Sequence, residues 1–119
     1  MKRTLIARQG EVRVYKIDAV PNCESRPAEK SMRGDWIISH SETGHHHVVP
    51  GSDADVIERT DGVPKGMRIL YAIVRNPTAL HQDAPVPHGE VPLDGDSIYE
   101  HRVSREYDPF AEQARRVTD

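Results

Sequence analysis

Apolar and polar positions alternate over residues 11–17, Glu-Val-Arg-Val-Tyr-Lys-Ile, as they do along a half-buried β-strand. The same reading predicts short strands over 35–40, 45–49 and 56–59. The run Met-Arg-Ile-Leu-Tyr-Ala-Ile-Val at 67–74 is the most apolar in the chain. Its length, its β-branched content and the flanking Gly66 and Asn76-Pro77 predict a central strand rather than a helix. A last strand spans 97–107, with Tyr99, His101, Val103 and Tyr107 on one face. Ser41-Glu-Thr-Gly44 is a turn between two of these strands and predicts a hairpin.

Between the strands, residues 18–34 read as a long polar loop, the kind that is often functional or partner-bound. Residues 77–93 read as a proline-rich loop, since prolines are excluded from a sheet interior. Only the tail looks helical, over 109–117. Asp108 can cap it, Pro109 suits the first helical position, and Phe110, Ala114 and Val117 fall on one stripe. The pattern therefore predicts one all-β domain over residues 1–119. It is a small antiparallel β-sandwich or barrel closed by a short C-terminal helix.

Composition narrows the function classes. With 119 residues the chain can bury a core, but one Phe, one Trp and four Tyr make that core thin. Stability drawn from a partner or from homo-oligomerisation is expected. A formal net charge of -3 argues against general nucleic-acid binding and leaves room only for a local basic patch. The single Cys23 cannot form an intramolecular disulfide, which suits a cytoplasmic or virion location. No apolar run reaches the ~20 residues that span a bilayer, and the N-terminal residues lack the apolar region of a signal peptide. The expectation is a protein with no membrane partner that is not secreted by a signal peptide.

The stretch Gly44-His-His-His47 carries the main candidate chemistry. On an extended chain His45 and His47 share a face and His46 takes the other. An H-x-H pair offers two imidazole nitrogens to one metal ion, and His81 or His88 would supply the third ligand, with Asp83 and Glu90 behind them. The metal candidates are therefore His45, His47, His81 and His88. Zn or another divalent transition metal is the cofactor this alternative implies; otherwise none is expected. The plainer reading makes these imidazoles hydrogen-bonding groups on a sheet, and His40, His46 and His101 are assigned that role.

Two resemblances follow from these motifs. The Gly44-His-His-His47 stretch and Pro87-His-Gly89 are similar to the metal-binding strands of cupins, although here Gly44 abuts the histidines and no glutamate follows at the usual spacing. More broadly, "QGEVRVYKI", "WIISHSETGHHHVV", "LYAIVRNPTALHQDAPVPHGEVPL" and "YEHRVSREYDPFAEQARRVTD" resemble a set of small proteins of bacteriophages and bacterial genomes. That set has a G-H-x-H turn, an L-x-H segment and a closing R-E-Y-x-P. The matching positions are Gly44, His45, His47, Leu80, His81, Arg105, Glu106, Tyr107 and Pro109. The resemblance covers nearly the whole chain and implies a phage-like origin and a compact β fold, with no reaction attached.

No phosphate-binding glycine loop, dinucleotide fingerprint or nucleophile elbow occurs. Two function classes remain. The favoured one is a non-enzymatic binding or structural protein of phage origin, such as a capsid-associated cement or decoration protein with capsid protein as partner. The alternative is a small cupin-like metal-binding protein or metalloenzyme using His45, His47 and His81.

Overall fold

A computed structural model of the chain describes residues 2–41, 45–84 and 89–104. Among the described residues there are ten strands: β1 Arg3–Gln9, β2 Val12–Ile17, β3 Ser25–Pro27, β4 Trp36–Ser39, β5 His47–Val49, β6 Ala54–Arg59, β7 Met67–Val74, β8 Thr78–Gln82, β9 Val91–Leu93 and β10 Ser97–Ser104. They form a six-stranded sheet in the order β1-β2-β10-β7-β6-β3 and a four-stranded sheet in the order β4-β5-β8-β9. Every strand pairing is antiparallel. The all-β expectation holds. The helix expected over 109–117 lies outside the described residues.

The core lies between the sheets because each strand presents alternate residues to it. The six-stranded sheet contributes Val12, Val14, Tyr99, Val103, Leu70, Ala72, Val74, Ala54 and Val56; the other contributes Trp36, Ile38, Val49, Leu80, Val91 and Leu93. Trp36 closes one end by donating its indole N–H to the carbonyl of Ala54 at 2.7 Å. The β7 strand is buried on both faces, which is why its sequence is a continuous apolar run rather than an alternating one. Its outward Ile69 and Tyr71 join Ile17 in a second apolar cluster, packed by Val20, Cys23, Ile57, Val63, Met67 and Ile98.

Two expected loops are partly structural. Within 18–34, β3 pairs with β6, and Lys30 then bridges Trp36. Ala28 N–H donates to the Val56 carbonyl and Ile37 N–H to the Glu29 carbonyl. The segment is the crossover from one sheet to the other, held by these backbone hydrogen bonds and by Val20, Cys23 and Ala28 packed against the apolar clusters. Within 77–93, β8 is an inner strand between β5 and β9. Pro92 sits in β9, an edge strand, where proline is tolerated. The proline rule applies, but at single residues rather than across the segment. The strand expected at 45–49 begins only at His47, and the one expected at 97–107 is described as far as Ser104.

Candidate functional site

The β4–β5 hairpin sets the positions of the histidines. Trp36 pairs with Val49, Ile37 with Val48 and Ser39 with His47, and the register shifts between Ile37 and Ser39. His45 precedes β5 and is exposed. Val49 is in the core, so His47, two residues earlier, faces the same inner side.

His47 is fixed by the tip of the β1–β2 hairpin. The Gln9 amide donates from Nε2 to the carbonyls of Leu80 at 3.2 Å and Gly89 at 2.6 Å. Its Oε1 is therefore the acceptor for His47 Nδ1, which must carry the proton. That leaves His47 Nε2 as an acceptor pointing at Gly10. A Cβ at Gly10 would lie 3.2 Å from it, and the φ of +58° at this residue already favours glycine. Burial, and then the charge of His46, pull the His47 pKa below its ordinary value. The ring is thus a neutral Nδ1–H tautomer joining the two sheets.

His81 pairs with Val48, and Gln82 pairs with His47. His81 accordingly projects from the opposite face of the four-stranded sheet to His47, and the structure does not bring the two together. The physical reason is the two-residue strand period: β8 presents Leu80 and Gln82 inward, and His81 between them outward. His88 lies outside the described residues. Among the described residues, no group of three or more His, Cys, Asp or Glu is placed to hold a metal ion.

His40 and His46 do meet. Their ring centroids are 4.8 Å apart in an edge-to-face arrangement. His46 Nδ1 accepts from the Ser41 N–H at 3.0 Å, and His40 Nε2 lies 2.7 Å from Glu29 Oε2. The backbone explains the second contact, because Ile37 N–H donates to the Glu29 carbonyl and carries the 28–30 segment alongside β4.

A polar cleft of about 420 Å³ opens at this end of the sandwich, lined by Arg26, Pro27, Glu29, His40, Glu58 and Arg68. Glu58 and Arg68 stand at inward positions of β6 and β7, in phase with Val56 and Leu70. Two hydrogen bonds of 3.0 and 2.8 Å join them in a bidentate pair, and Arg26 approaches at 3.7 Å. The Arg68 hydrogen bonds hold the Glu58 carboxyl below the usual carboxylate range, against the opposing effect of burial. The cleft therefore presents one neutralised ion pair, one further guanidinium and a His–carboxylate pair. Such a set can recognise a polar group by hydrogen bonds.

Sequence reasoning missed Glu29, Glu58 and Arg68, which it left among solvated charges. One signal was available. Arg68 interrupts a run that is apolar on both phases, where an unpaired charge is costly, so it needed a partner; Glu58 shows itself as inward only once β6 pairs with β7. Glu29 carried no such signal, because only the sheet crossover places it.

No helix among the described residues is long and apolar enough to cross a membrane. No curated protein and no solved structure matches the chain. A family model described as Domain of unknown function (DUF8820) matches residues 8–97, from the end of β1 to the first residue of β10. That span includes the β4–β5 hairpin, the sheet crossover and every residue that lines the polar cleft, and the chain belongs to this family.

Proposed function

We propose that the protein is a non-enzymatic binding protein that docks on a protein partner through the outer edge of β1, which pairs with no strand on that side among the described residues. A capsid-associated cement or decoration protein of a phage is the form of this reading that the sequence resemblance favours. The carrying observation is the edge itself. The β1 strand ends the six-stranded sheet, and residues 3–6 are exposed, with Leu5 and Ile6 at 48% and 41%. Edge strands usually hide or blunt such apolar residues, because unpaired N–H and C=O groups beside them recruit another strand. A partner strand added here would satisfy those groups and cover both side chains. The thin aromatic content supports the same reading, since a partner would add apolar burial that the chain itself lacks.

Sedimentation of the full chain tests this, alone over a range of concentrations and with virions of a phage whose genome encodes it. Self-association or co-sedimentation is expected, and a Leu5→Lys, Ile6→Lys double variant should lose it. A chain that does neither, or a double variant that behaves as wild type, overturns the reading.

A further inference from the structure

The outer face of the six-stranded sheet carries an arrangement that the fold alone does not require. Arg8 pairs directly with Arg13, and Arg13 directly with Arg102. Their strand neighbours Val12, Val14 and Val103 are in the core, so the three arginines project outward in one row. Neighbouring strands lie about 4.8 Å apart, and like charges directly opposite one another destabilise a sheet. Beside this row, Arg3, Arg59 and Arg102 line a cavity of about 510 Å³ together with Pro21 and Glu100. Arg13 and Arg8 line a second hollow with Gly10, Glu11 and Ser104.

Among the described residues, the acids on this face do not balance it. Glu100 Oε2 accepts from Arg3 Nη1 and Arg102 Nε, both at 3.0 Å. Arg59 donates from Nε to the Asp61 carbonyl and lies 3.4 Å from the Asp61 carboxylate. Among the described residues, three guanidinium groups thus meet two carboxylates around the cavity, and Glu11 is the acid that lines the neighbouring hollow with Arg8 and Arg13. The contacts also orient the donors. Arg3 is held over the Tyr15 ring at 5.0 Å from its centroid, and Arg59 reaches the Tyr71 hydroxyl at 3.4 Å. Among the described residues, Arg3 Nη2 and both Nη atoms of Arg102 have no hydrogen-bond acceptor.

We propose that this cavity is a phosphate-binding site, with Arg3, Arg59 and Arg102 as its donors and Arg13 and Arg8 extending its positive rim. A single guanidinium fork satisfies a planar carboxylate. Donors arriving from three separate strands instead suit a tetrahedral anion, whose acceptor oxygens point in different directions. Glu100 acts as a positioning residue: it aligns two of the arginines and lowers their mutual repulsion. The volume exceeds that of phosphate alone and falls within the range of small-ligand pockets, so the ligand is inorganic phosphate or a small phosphomonoester.

Calorimetric titration of the full chain decides it, with inorganic phosphate, ribose 5-phosphate and a single-stranded oligonucleotide as separate probes. Saturable binding of either small probe is expected, and the tighter of the two identifies free phosphate or an ester as the ligand. Arg59→Gln and Arg102→Gln should each weaken it roughly ten- to hundredfold, the range for one charge-assisted hydrogen bond. Glu100→Gln keeps hydrogen bonding to Arg3 and Arg102 but removes the negative charge beside the ligand and should tighten it, whereas Glu100→Ala, which releases both arginines, should weaken it. Arg33→Gln, at an exposed pair with Asp83, should leave it unchanged. Should Arg102→Gln fail to fold, Arg59→Gln and Glu100→Gln decide the matter. No heat from either small probe at millimolar concentration overturns the proposal. So does binding that both of those variants leave unaltered, or binding of the oligonucleotide alone.

Discussion

Glu100 and His101 are adjacent on β10, with exposures of 2% and 0%, and they meet opposite fates. Glu100 points to the outer face, where two guanidinium groups share its Oε2. His101 points into the core between Val14 and Leu70, its partners on the flanking strands; among the described residues neither ring nitrogen completes a hydrogen bond, and the Tyr99 backbone only weakly opposes the effect of burial. Burial pushes the pKa of His101 down to about 4, so the ring is neutral at neutral pH. The contrast shows two ways of removing an ionisable group from water. A carboxylate can be kept beside cations, whereas an imidazole can give up its charge and remain as an imperfect apolar filler. The first is sensitive to its partners and the second to pH.

Breaking the first arrangement should cost most. Replacing both Arg3 and Arg102 by alanine leaves the Glu100 carboxylate buried without a counterion. A loss of about 3–5 kcal/mol is expected in urea denaturation, the range for orphaning a buried charge. A loss under ~1 kcal/mol would show that water reaches Glu100 and that its burial is nominal.

Acid tests the second arrangement at nearly the same magnitude. His101 binds its proton more weakly in the folded chain, about 4, than in the unfolded chain, 6.5. The neutral ring's contribution is therefore complete above pH 6.5 and is lost as pH falls from there towards about 4. The loss is about 3 kcal/mol, the free energy separating proton binding at about 4 from binding at 6.5. His47 is lowered in the same direction and adds to the slope. Glu58 is a lowered carboxyl, so its contribution is present above the ordinary carboxylate range and lost only in more acid solution. Melting curves from about pH 8 down to about pH 4 should fall for wild type and flatten for His101→Leu. Equal slopes would remove His101 from the account.

A smaller effect is expected from the same variant at mildly alkaline pH. Leucine has no nitrogens to leave unsatisfied, so His101→Leu should raise stability by about 1–2 kcal/mol. A loss instead would mean that ring shape matters more in that layer than the missing hydrogen bonds. The smallest change belongs to Glu100→Gln. An amide retains hydrogen bonding to Arg3 and Arg102 without the charge, and a difference of about 1 kcal/mol or less is expected in the same denaturation experiment, from trading Coulombic attraction for a lower desolvation cost.

His101 also marks how far the sequence can be read. Its alternation with Tyr99 and Val103 is enough to put it on the inward face, and the strand does present it there. Its lack of a partner is a different matter. That depends on which residues of β2 and β7 lie opposite, and the register between strands far apart in sequence fixes them. The cleft shows the same division. His40 is visible in the sequence as a strand-end histidine, but Glu29 reaches it only because the 18–34 segment crosses between sheets on backbone hydrogen bonds.

The all-β class, the central place of β7 and the inward phase of β10 are written in short stretches of chain, because a two-residue period and a continuous apolar run are local properties. That His81 turns away from His47, and that Arg8, Arg13 and Arg102 stand in one row, are settled only when the strands pair. Both depend on register, where a shift of a single residue exchanges the two faces of a strand. That choice is made by the summed packing of both sheets and leaves no mark in a local stretch of chain.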